Sequence, residues 1–147
     1  MPRTMTPEIH PLIKLLCEDQ RYKLDAYQFV RSGLAFAQEV LGLGGHPVAG
    51  DDAKAAEGNR VPRHVTGQDL CHALRQYAHE QYGFLAKPVL NHWGIHTTGD
   101  FGEIVYNLIK IGEMSKSEDD RREDFEQVFN FDQAFVQDFL IAARQKA

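Results

Sequence analysis

Between residues 64 and 112 three amphipathic segments follow one another, each closed by a glycine, and this constrains the fold more than anything else in the chain. In RHVTGQDLCHALRQYAHEQYG, Thr66 stands three residues before Asp69, the spacing at which a hydroxyl satisfies a free helix N–H and an acidic side chain reaches back. Leu70, Leu74, Tyr77 and Ala78 then recur on one stripe, and Gly83 ends the segment. In FLAKPVLNHWG, Leu85, Val89, Leu90 and Trp93 share a face. Pro88 is tolerated there if it lies in the first turn, where backbone N–H groups have no helical acceptor. In IHTTGDFGEIVYNLIKIG, Thr97 and Asp100 repeat the cap, and Phe101, Ile104, Val105, Leu108 and Ile111 form the buried side. Three such helices with short links fold onto each other, because none can bury its own stripe.

Upstream, Thr6 before Pro7 reads as a cap and first helical residue, followed by Ile9, Leu12, Ile13 and Leu16 at helical spacing; Pro11 leaves the exact start open. Past a polar break at residues 18–21, Tyr27, Val30, Leu34, Ala37 and Leu41 make a stripe flanked by Phe29, Gly33, Phe36 and Val40, a face wide enough for a buried helix. Residues 1–43 therefore read as a helical pair. Residues 44–63 carry Gly, Pro and small polar residues without periodicity, the composition of a mobile surface loop. The glycines at 42, 44, 45 and 50 do not spell a phosphate-binding loop, and no strand feeds them.

Beyond Gly112 the period changes. Residues 113–116 suit a short strand, SEDDRRE a polar turn, and DFEQVFNF places Phe125, Phe129 and Phe131 on alternate positions of a second strand. A helix over residues 119–128 is the alternative, since the residues there are ones that helices accept. Residues 132–147 read as a terminal helix with Phe135, Phe139 and Ala142 inward and Arg144 and Lys146 at the end that favours positive charge. The expectation is one mainly α domain over residues 1–147, in which a winged-helix-like three-helix core at 64–131 carries a small β-hairpin wing, flanked by N-terminal and C-terminal helices.

Charge is uneven along the chain. Residues 113–138 hold 3 Lys and Arg against 9 Asp and Glu, whereas residues 1–63 hold 8 of each. Acidity where a wing would lie repels phosphate, which opposes a nucleic-acid footprint there. Pro11 and Lys14 break any signal-peptide apolar region and no run approaches membrane-spanning length, so the expected home is the cytoplasm, with Cys17 and Cys71 reduced.

Seven histidines invite a metal reading. His92 and His96 are four apart but straddle Gly94, which breaks helical geometry, and Cys71, His72 and His79 give only partial support, so no metal or cofactor is expected. His64 reads as orienting the turn before the Thr66 cap. Asp100 and Glu103 fall on a first helical turn, where the helix dipole favours carboxylates over a paired acid and base. The DFG at residues 100–102 lacks every other kinase element. If the third helix of the unit were a recognition helix, its outward positions would be Gly102, Glu103, Tyr106, Asn107 and Lys110, with Arg121 and Arg122 at the wing tip.

The runs DAYQFVRSGLAF, RHVTGQDL and LNHWGIHTTGDFGEIVYNLIKIGEMSKSEDDRREDFEQVFNF together resemble a family of small bacterial cytoplasmic proteins, a domain of unknown function known by a locus-derived name. The likeness covers most of the chain outside residues 44–63 and the extreme ends. It implies a helical architecture and a bacterial cytoplasmic home, and brings no catalytic residue.

These observations favour a non-enzymatic protein-interaction or regulatory module whose partner is another protein or a second copy, with Glu103, Tyr106, Asn107, Lys110, Arg121 and Arg122 as interaction residues. A winged-helix DNA-binding transcriptional regulator is the alternative, and a small metal-dependent enzyme the third reading; a membrane partner is not expected.

Overall fold

The structure is a computed structural model that describes residues 10–42, 65–116 and 120–137. The first helix, α1, is Pro11–Glu18, with proline at its opening position and the Leu12 N–H donating to Nδ1 of His10 at 3.0 Å. Thr6 and Pro7 lie outside the described residues. Leu12 and Leu15 are buried, whereas Ile13 is 54% exposed, so the stripe sits differently from the one its spacing suggested. α2, Leu24–Glu39, buries most of the face expected of it, from Ala26 and Tyr27 to Phe36 and Ala37, while Leu34 and Leu41 are half-buried and Val40, past its end, is 66% exposed.

α3 is Gly67–Tyr82 and starts at the predicted cap, with Thr66 Oγ1 accepting from the Asp69 N–H at 3.1 Å. A 3-10 turn, Gly83–Leu85, leads to α4, Ala86–His92, whose first turn accommodates Pro88. Leu85 is 60% exposed here, and Ala86 takes the inward position instead. α5, Thr98–Lys110, opens with the complete Thr97–Asp100 capping box and buries Phe101, Ile104, Val105 and Leu108. α2 lies against both α3 and α5, and the buried side chains of α1 to α5 join Phe125, Phe131 and Phe135 in one apolar core.

The β-hairpin wing is absent, and with it the winged-helix architecture: no residue among those described is in a strand. After α5 the N–H groups of Glu113 and Met114 turn back to the Leu108 carbonyl at 2.8 and 3.3 Å, so residues 113–116 close the helix and do not start a strand. Arg122–Phe125 is a 3-10 turn, which also replaces the helix considered over residues 119–128; Gln127, at φ 52°, breaks any continuation.

The alternation of Phe125, Phe129 and Phe131 has a different cause from β-pairing. Phe125 drops into a notch between Gly67 of α3 and Gly102 of α5. Phe131 packs against Phe101 and Phe135, with ring centroids 5.8 and 4.9 Å away. The extended chain between them finds its acceptor in a side chain, as the Val128 N–H donates to Oγ1 of the buried Thr98 at 3.1 Å. Residues 120–131 are thus a strap across α3 and α5.

The terminal helix begins at Phe131 and passes into a π-helical turn at Gln133–Gln137, in which Phe135 is fully buried. Nε2 of His79 faces the Ala134 carbonyl at 2.9 Å, joining this turn to α3. Phe139, Ala142, Arg144 and Lys146 lie outside the described residues, as does the loop assigned to residues 44–63. Among the described residues no helix is long and apolar enough to cross a membrane.

Candidate interaction face on helix α5

Of the predicted interaction residues, Glu103, Tyr106, Asn107 and Lys110 lie on one side of α5 and Arg121 and Arg122 on the strap, and the fold brings other parts of the chain against that side. Gly94, at φ +99°, is what lets the turn between α1 and α2 approach: a Cβ there would collide with the Arg21 carbonyl oxygen. The approach is fixed by the Lys23 N–H, which donates to the Trp93 carbonyl at 3.2 Å. Asp19, Arg21 and Tyr22 are thereby laid along α5.

The contacts run in order along the helix. At its N-terminus the Tyr22 hydroxyl donates to Asp100 Oδ1 at 2.6 Å, while Asp100 Oδ2 accepts from the N–H groups of His96 and Thr97 at 2.8 and 3.1 Å. One turn on, Glu103 is held from both flanks, by Arg21 Nη2 at 3.2 Å and by Arg122 Nη1 at 3.0 and 2.9 Å. The Arg122 guanidinium also lies 4.8 Å above the Tyr106 ring, which meets Phe125 edge-on. Next, Asn107 Nδ2 donates to Asp19 Oδ2 at 3.0 Å and to the Tyr27 hydroxyl at 3.1 Å. Arg21 grips Asp19 through Nε and Nη2 at 2.9 and 2.7 Å.

Electrostatics follow from these pairs. The Arg21 guanidinium beside Asp19 is the main reason its carboxyl lies far below the usual carboxylate range, with the Asn107 amide assisting. Burial, and then donation to Asp100, push the Tyr22 phenol well above its ordinary value. The Asp19 carboxylate and the Tyr22 phenol are thus held in the forms that their contacts use, and the seam works as a fastening.

Of the residues expected on an open surface, only Lys110 and the pair Arg121 and Arg122 are exposed. Gly102 is buried under Phe125; Glu103, Tyr106 and Asn107 are half-buried and engaged within the chain. Asp19, Arg21 and Tyr22, which hold them, lie in or beside the stretch that reads from sequence as a polar break. Their partners are about eighty positions away, and no local pattern announces them.

A groove of about 500 Å³ opens beside this face, between α2, the start of α3 and the end of α5. Leu34, Leu70, Val105, Ile109 and Met114 line it, with Asp120 and Asp124 along its edge. The Tyr106 hydroxyl at its wall is buried without a hydrogen-bond partner among the described residues. A second groove of about 650 Å³ at the N-terminal end of α5 is bordered by the Lys87–Asp132 ion pair at 2.7 Å.

His72, His92 and His96 point to solvent, and His64 is outside the described residues. Among the described residues no three His, Cys, Asp or Glu side chains converge as a metal site would require. Burial pushes the Cys71 thiol up to about 12, which keeps it a packed, unreactive group. Compared with protein-family models, with curated proteins and with solved structures, the chain matches none.

Proposed function

We propose that this chain is a non-enzymatic interaction module that docks another protein in the groove beside α5, with a bacterial cytoplasm as its setting. One observation carries the reading: Glu103, held between Arg21 and Arg122, closes the outer side of α5, while the groove next to it is open among the described residues. A helix that reads a DNA major groove has to present that outer side bare to base edges. Here the strap and the α1–α2 turn stand in the way, and the strap region carries the chain's densest acidity.

The groove, by contrast, has a size within the range of ligand sites, an apolar floor and an acidic edge. It suits a partner segment that inserts an apolar side chain and places a lysine or arginine near Asp124. The unpartnered Tyr106 hydroxyl would donate to a carbonyl of that segment, removing the cost of leaving a buried donor unsatisfied.

The test uses the tagged full chain on extract of its native host, with and without nuclease, beside a Met114→Glu variant that puts a charge on the groove floor. A defined protein that survives nuclease and is lost with Met114→Glu supports the groove. Nucleic acid that co-purifies and is released by salt would replace this reading with the DNA-binding one.

A further inference from the structure

We draw no further inference here: the strongest candidate, the groove of about 650 Å³ where the N-terminus of α5 meets the strap, rests on a helix N-terminus alone, and nothing among the described residues shows what would occupy it.

Discussion

Helix α5 is fastened on its outer side in two ways that differ in physical character. Near Gly102 the contact is dry: Phe125 is 4% exposed and fills a notch made by two glycines, where a Cβ on Gly102 would meet the Phe125 Cβ at 2.8 Å and one on Gly67 would meet its ring at 3.0 Å. One turn away the contact is charged and wet: Glu103 sits between Arg21 and Arg122, whose side chains are 53% exposed. Buried aromatic area is removed from water whatever the salt or pH, while half-exposed ion pairs lose most of their Coulomb energy to solvent screening. The notch therefore carries most of the stability of the strap, and the arginines set where the strap and the α1–α2 turn lie.

That ranking can be broken by experiment, beginning with its strongest claim. Phe125→Ala should cost about 3–5 kcal/mol, since it removes a fully packed ring and leaves a cavity between two glycines that cannot fill it. Thermal melting should show a loss of roughly 10 °C for a chain of this length. A loss under about 1 kcal/mol would mean that the strap is held elsewhere.

Gly102→Ala comes next. Alanine is the better helix former by about 1 kcal/mol, yet its methyl would have to displace the Phe125 backbone-proximal atoms, so a net loss of about 1–3 kcal/mol is expected. Chemical denaturation gives the sign directly, and a stabilised variant would show that no close approach exists.

Tyr22→Phe tests the polar end of the seam. Removing a hydroxyl that donates to a carboxylate should cost about 1–2 kcal/mol. The contribution also has a pH signature. Because the folded-state pKa of Tyr22 is raised, its stabilisation is complete below the unfolded value of about 10 and is lost as pH climbs through the higher folded value. The margin of the native protein over Tyr22→Phe should therefore narrow as pH rises above about 10, and a margin that stays constant there would remove the Tyr22 fastening from the account.

How far the sequence announced this arrangement depends on whether a feature is local. The caps at Thr66 and at Thr97 with Asp100 are written within four residues, and both stand where the spacing put them. The buried faces of α2, α3 and α5 follow in the same way from 3.6-residue periodicity. The strap did not follow, because alternating phenylalanines describe any extended chain laid on an apolar surface, and a strand needs in addition a partner for its N–H and C=O groups. Here those groups turn to Thr98 and into a 3-10 turn. One signal was present: Gly102 lies inside an amphipathic, strongly helical run, which marks close approach of another backbone or ring. For Asp19, Arg21 and Tyr22 no comparable signal exists, since a charged turn looks the same whether it faces water or another helix.

The smallest expected effect is the one that best separates the two fastenings. Glu103→Gln keeps the shape of the side chain and removes the charge shared by Arg21 and Arg122. With both guanidinium groups about half exposed, the loss should stay below about 1 kcal/mol at moderate ionic strength. The same variant should flatten the dependence of melting temperature on salt, because the Debye length shortens from roughly 10 Å at 0.1 M to 3 Å at 1 M and the native pairs are screened over that range. Phe125→Ala should leave that salt slope unchanged. If Glu103→Gln instead destabilises as strongly as Phe125→Ala, the arginines belong to the core of the fastening, and the outer side of α5 is held by charge.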